Sequence, residues 1–359
     1  MKNLFTSLLL SMASLAYAQV DTSASSLTVS GYAEVYYSYD FGQPADHNRP
    51  GFIYSHNRHN EVNLNLGFIK AGYSTDRVRG NLAMAAGTYM NANYAAEPGV
   101  LKNIYEANAG FKISPKSNLW VDGGIFASHI GFESAVSKDC WGLTRSILAD
   151  NSPYYESGAK LTYITKNGSW LFSGLILNGW QHIQRPEGNN SLALGTQITY
   201  TPNSKVVLNY STFIGNDKPD EAKQMRYFQN VYGMFHFTDH FHFTAGLDFG
   251  VEQDAKGSSN FNTWYSPVLI VQLMLNDKWS FTGRGEYYAD EHGVIIPTGT
   301  ENGFKTFGYS LNVDYRIRAN AVWRVEGRLF KSEDDIFTKG DGNATNTNTA
   351  VTTSIAVSF

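Results

Sequence analysis

From Leu27 to the last residue the sequence repeats one pattern: about ten residues of alternating apolar and polar character, a connection, then another alternating segment. A period of two places successive side chains on opposite faces of a strand, so the chain reads as all-β. The connections constrain it further, because they alternate in length. Seven are short and rich in turn formers: Ser74-Thr75-Asp76, residues 115–118, Lys166-Asn167-Gly168, Pro202-Asn203-Ser204, Thr238-Asp239-His240, Asn276-Asp277-Lys278 and Arg318-Ala319-Asn320. Eight are long, around 42–57, 91–103, 129–153, 181–190, 215–225, 253–262, 290–303 and 332–349. Together they join sixteen strands, an even number with both chain ends on the short-turn side. A soluble sandwich has no reason to sort its loops this way, whereas a membrane-spanning barrel has short turns at one end and long loops at the other. The expected fold is an antiparallel up-and-down transmembrane β-barrel of about sixteen strands, with short periplasmic turns and long extracellular loops.

The stretch AVWRVEGRLF, residues 321–330, tells which face looks where. Arg324, Glu326 and Arg328 alternate with Trp323, Val325, Gly327 and Leu329. In neighbouring segments Arg284 and Glu286 oppose Phe281 and Tyr287, and Asp314 and Arg316 oppose Val313, Tyr315 and Ile317. An Arg or Lys facing lipid near the midplane costs roughly 2–4 kcal/mol, so the charged face is assigned to the lumen. With Glu34, Arg79 and Glu106 of earlier strands, these residues form the predicted pore lining. Val322 and Phe330 share the charged face and are expected near the rims. Pro267 cannot donate to a ladder, so a bulge or break is expected beside it. Ser169–Trp180 is apolar on both faces for part of its length, which leaves its register open.

The N-terminal MKNLFTSLLLSMASLAYAQ has a positive start, an apolar run and the small-x-small site Ala16-Tyr17-Ala18. It reads as a signal peptide, residues 1–18, rather than a buried helix, leaving 19–359 as a single barrel domain. No later segment reaches the roughly 18 apolar residues of a membrane helix; the best, Pro267–Leu275, contains Gln272. The single Cys140 excludes a disulfide framework. A net charge of −4 with dispersed Lys and Arg gives no nucleic-acid surface. Aromatics gather near strand ends, at Tyr36, Tyr37 and Tyr39, Tyr154 and Tyr155, Trp279 and Phe281, and Tyr287 and Tyr288. They fit an interfacial girdle or simple β-propensity. The last strand, TAVTTSIAVSF, alternates to a terminal Phe359, which looks like the signal read by the bacterial barrel-assembly machinery.

GYAEVYYSYDF from Gly31, YSHNRHNEVNLNLGF from Tyr54, GTYMNANY from Gly87, YEANAGFKI from Tyr105, LWVDGGIFASHIGFES from Leu119 and NSPYYESGAKLTY from Asn151 carry a family resemblance. In them the chain resembles the OmpL-like β-barrel porins of Bacteroidetes-type bacteria, densely from about Gly31 to Tyr163 and afterwards in strand pattern and terminal Phe. The resemblance implies a channel in the bacterial outer membrane, in contact with outer-membrane lipid and small hydrophilic solutes. A homotrimer is an expectation at the level of sixteen-stranded porins.

The connection 129–153 follows the fifth strand, the position of the loop that narrows general porins. Gly131, Glu133, Lys138, Asp139 and Arg145 are its candidate constriction residues, expected to face the charged ladder of strands thirteen to fifteen. The alternative is an external loop packed on the rim. His56, Arg58, His59 and Glu61 lack a zinc spacing and read as local hydrogen-bonding groups rather than metal ligands. His236, His240 and His242 read as a hydrated turn. No HExxH, GxSxG, P-loop or CxxC occurs, and no outward His lies midway along a clean strand, so neither an enzyme nor a cofactor is expected. Sixteen strands leave an aqueous channel, so the leading expectation is passive diffusion through a mixed-charge lumen. The alternative is a structural or adhesive barrel with an occluded lumen, its polar last loop SEDDIFTKGDGNATNTNTA mobile and serving as a contact surface.

Overall fold

The computed structural model describes residues 26–359; the expected signal peptide lies outside them. Its barrel strands are β1 (Ser26–Asp40), β2 (Val62–Ser74), β3 (Val78–Ala86), β4 (Ile104–Lys112), β5 (Leu119–Ala127), β6 (Tyr155–Ile164), β7 (Trp170–Leu177) and β8 (Ala193–Asn203). They continue with β9 (Val206–Gly215), β10 (Arg226–His236), β11 (Phe241–Gln253), β12 (Phe261–Met274), β13 (Trp279–Asp290), β14 (Phe304–Arg318) and β15 (Ala321–Ser332). Two short strands, β16 (Phe337–Thr338) and β17 (Ala344–Thr345), make a hairpin inside the last long connection, and β18 (Thr347–Ser358) returns to pair with β1. The sixteen long strands form one closed antiparallel barrel. Closure leaves no unpaired sheet edge, the condition for strands in hydrocarbon. At the seam Tyr32 pairs with Ser358 and Asp40 with Ala350. Gly31 and Phe359 extend it, exchanging backbone hydrogen bonds of 2.7 and 3.0 Å. A Cβ at Gly31 would lie 2.4 Å from the Phe359 ring, so glycine is what lets the terminal aromatic lie flat on β1.

All seven expected short turns connect strands at one end. The long connections at the other are L1 (41–61), L2 (87–103), L3 (128–154), L4 (178–192), L5 (216–225), L6 (254–260), L7 (291–303) and L8 (333–346). Burial inverts the pattern of a soluble sheet. On β15 Trp323 and Leu329 are each 40 % exposed, whereas Arg324, Glu326 and Arg328 are 1, 1 and 3 % exposed. Apolar side chains therefore line the outer wall and charged ones point inward. Val322 and Phe330 also point inward, near the two ends of β15. At Pro267 the β12–β13 ladder breaks between Tyr265↔Ala289 and Val268↔Glu286 with the register unchanged, so it is a break and not a bulge. Ser266 Oγ donates instead to the Tyr287 carbonyl at 2.9 Å. The register of β7 is fixed by Thr162↔Ser173 and Ser173↔Gln197, which turns Ser173, Leu175 and Leu177 inward.

Two expectations are corrected here. The aromatic clusters are not one girdle: Trp279 and Phe281 are on the outer wall, but Tyr36, Tyr155 and Tyr288 are inside and at most 2 % exposed. Period two sends adjacent tyrosines to opposite faces, and two of the inner ones find polar partners, Tyr36 Oη in the Thr88 hydroxyl at 3.1 Å and Tyr155 Oη in Glu97 at 3.0 Å. Nor is L8 simply a mobile polar loop. Its hairpin delivers Phe337 into an apolar cluster at the long-loop end, where Phe213, Phe228, Trp264, Tyr288, Phe304 and Phe330 project inward from six strands. Phe52 of L1 fills the middle, with ring centroids 4.8 Å from Phe304 and 5.4 Å from Phe330.

Candidate functional site

The inner wall of β13–β15 carries an alternating ladder of charge. Asp314 and Arg324 are direct cross-strand partners, bonded at 2.7 Å. Arg284 reaches Glu326 at 3.0 Å and Glu286 at 3.2 Å, and Arg328 reaches Glu286 at 2.7 Å. Three arginines thus balance three carboxylates. Removing such groups from water is costly unless their donors and acceptors are answered, and L3 supplies many of the answers.

L3 crosses the lumen instead of capping the rim. Its start is held by His129, whose ring nitrogens meet Glu156 and the Thr212 carbonyl, both at 2.8 Å. Gly131 N then donates to Asn230 at 3.2 Å. The tip reaches the far wall, where Ser137 Oγ donates to Glu34. On the return Arg324 donates to the carbonyls of Ser137, Cys140 (3.0 Å) and Trp141 (2.8 Å), and Arg284 to that of Thr144 (2.7 Å). Thr144 N donates to Glu326 at 2.9 Å and Ile147 N to Glu286 at 2.5 Å. Ser146 caps the helical turn Ile147–Asp150 by accepting from Ala149 N at 3.1 Å. A Cβ on Gly142 would lie 3.4 Å from both Arg284 and Glu326, so the loop runs close against the ladder there as well.

The ladder therefore meets the backbone of L3 more than its charged side chains, contrary to expectation. Glu133 reaches only to within 3.9 Å of Arg284. Arg145 folds back on the loop carbonyls of Ser134 (2.6 Å) and Leu143 (2.9 Å), and Lys138 and Asp139 pair with each other at 3.7 Å. A loop that crosses a barrel without regular secondary structure leaves its peptide groups unpaired, so they need polar partners, and the ladder provides them.

The ten strand residues predicted to line the lumen all lie on the inward face by register. Glu34, Arg284, Glu286, Arg324, Glu326 and Arg328 are no more than 4 % exposed beneath loop segments. The opposite wall is the more accessible one. There Lys70 pairs with Glu106 at 2.6 Å, the side chains 30 and 15 % exposed, and Arg79 forks onto Asp122 at 2.6 and 2.5 Å. Asn81, Asn108, Gln197 and Thr199 extend this wall, all half-buried. Arg316 is half-buried near the short-turn end of β14.

The histidine readings divide. Arg58 pairs locally with Glu61 at 2.7 Å, whereas both histidines turn to β1: His56 Nε2 lies 3.1 Å from Glu34, and His59 Nδ1 accepts from Asp40 N at 2.9 Å. His236 and His242 are not a hydrated turn. They face inward as a cross-strand pair, Nδ1 to Nδ1 at 3.2 Å, and the Trp141 ring of L3 lies about 6 Å from each. Only His240 sits on the exposed turn.

The closed barrel matches solved outer-membrane porins and channels. The chain has the fold of an anion-selective porin from Comamonas acidovorans (TM-score 0.62, 9 % identity, 94 % of this chain and 100 % of that one). It also has that of the channel DcaP of Acinetobacter baumannii (0.61, 12 %, 94 % and 99 %). The trimer form of OmpT from Vibrio cholerae is a third such structure (0.60, 10 %, 94 % and 100 %). Among curated proteins none matches. The profile of the family described as "Putative beta-barrel porin-2, OmpL-like" matches residues 26–359. The chain belongs to that porin family. The porin resides in the bacterial outer membrane, its apolar outer wall against lipid.

Sequence reasoning overlooked Lys70, Asp122 and Lys160 of the porin's inner wall, and the apolar cluster at its long-loop end. Lys160 was legible, because it alternates with Leu161 and Tyr163. Lys70 was masked by Leu66 and Phe68, apolar residues of the same parity that also point inward.

Proposed function

We propose that the porin lets small hydrophilic solutes cross the outer membrane passively and performs no chemistry on them. The observation that carries this reading is the half-buried charged and amide wall of β2–β8, which keeps contact with water while the β13–β15 wall is dry. L3 is the constriction in this reading. It fills the lumen from the β9–β15 side, and its Lys138 and Asp139 side chains, 24 and 27 % exposed, border the remaining passage. Fixed charges of both signs at such a narrowing set selectivity by electrostatics and size.

The apolar cluster around Phe52 favours a second reading, an occluded barrel whose long loops bind a partner. Single-channel recording in planar bilayers separates the two. Discrete, reproducible steps support diffusion, and silent insertion of a folded barrel supports occlusion. A homotrimer belongs to the first reading, supported by the trimeric form of the OmpT neighbour; sedimentation in detergent measures it.

A further inference from the structure

We propose that the lumen favours small anions over cations and that Lys160 is the residue that sets this preference; the proposal rests on the porin reading. Its basis is which charges remain unpaired in water inside the barrel. Lys70 is neutralised by Glu106 and Lys138 by Asp139. Asp122 stands opposite Lys160 in the β5–β6 register, but both of its oxygens are engaged by Arg79. Lys160 is half-buried, has no ion pair or hydrogen bond among the described residues, and stands 4.6 Å above the Phe126 ring. Among the described residues its ammonium has no protein oxygen as a partner, and the ring of Phe126 is its neighbour.

The inward carboxylates around it have partners of their own: Asp122 in Arg79, Glu106 in Lys70 and Glu156 in His129. Glu97, Asp150, Asp248 and Asp290 lack a cation partner among the described residues, but each is at most 3 % exposed. They are answered by protein donors, as Asp290 is by the backbone N–H groups of Val294, Ile295 and Ile296 at 2.7–2.9 Å. Nearer the short-turn end, inward Lys112 and Arg316 also have no ion-pair partner among the described residues. A fixed charge in a narrow passage with low-dielectric walls concentrates ions of opposite sign. The acidic residues of the long loops, such as Glu333 and Asp335 in L8, oppose this from the rim. Being exposed, they are screened over a Debye length of about 10 Å at 0.1 M salt, whereas charges inside the barrel are screened much less.

The test is the reversal potential of single channels in a KCl gradient, with folding checked by the migration shift on heating. Wild type should pass chloride several-fold better than potassium. Lys160→Gln should bring the ratio close to one and Lys160→Glu should invert it, while Lys223→Gln in L5, outside the barrel wall, should leave it unchanged. A wild-type channel without preference, or with cation preference, overturns the proposal. So does a conducting Lys160→Glu channel with wild-type selectivity. A folded barrel that never conducts overturns the porin reading, and this proposal with it.

Discussion

Arg324 shows how one residue can hold a loop. Its guanidinium forks onto Asp314 and donates to three L3 carbonyls while 1 % exposed. Breaking a buried charge pair by removing one partner costs about 3–5 kcal/mol. Arg324→Ala is expected to lower the denaturation midpoint, with strand content by circular dichroism unchanged because the ladder backbone is untouched. Cys140 reports the same event. It is buried in the L3 tip, where loss of hydration pushes its thiol up to about 11. In the folded porin at pH 7 it should resist a maleimide, and Arg324→Ala should make it react. Equal labelling of both proteins would mean that the tip is not seated by Arg324.

L3 as an element carries a pH dependence. Burial pushes the Asp150 carboxyl up to about 7. Burial pulls the His129 imidazole down, but the Glu156 carboxylate and the Thr212 carbonyl outweigh it and raise its pKa. Both groups bind protons more tightly folded than unfolded, so their stabilisation is complete at acid pH and is lost as pH rises. For Asp150 the loss runs from about 4 to about 7; for His129 it lies above its ordinary value near 6.5. L3 should therefore sit most firmly in acid, and channel fluctuations should increase between pH 5 and 8 by roughly that span. Asp150→Asn should flatten the lower part of the curve. A channel noisier at pH 5 than at pH 8 would contradict this assignment.

Over the whole molecule the lumen is divided: a dry half between L3 and β9–β15, a wet wall on β2–β8, and an apolar cluster across the long-loop end. Phe52 joins the cluster from L1 and touches residues of L8 and of two strands. Phe→Ala in a packed core typically costs about 3–5 kcal/mol. Because the barrel ladder is independent of L1, Phe52→Ala should leave the barrel folded and raise single-channel conductance. Unchanged conductance would place the limiting narrowing at L3 rather than at the mouth.

Much of this was legible in the sequence, because a strand in lipid obeys a rule of period two with a penalty for error. The alternation around Arg324, Glu326 and Arg328 gave the facing, the two classes of connection gave sixteen strands, and Pro267 gave its ladder break. The inward course of L3 was expected from its ordinal place, but the groups that meet it were not. Those contacts join residues far apart in the chain, such as Thr144 and Glu326, and no local spacing encodes them. The same holds for the apolar cluster, whose aromatics each look locally like lipid-facing or interfacial residues. The sequence by itself determined a barrel and the direction of its charges. Only the tertiary structure decided which inward charges are buried against L3 and which remain in water, because accessibility depends on the loop that lies over them.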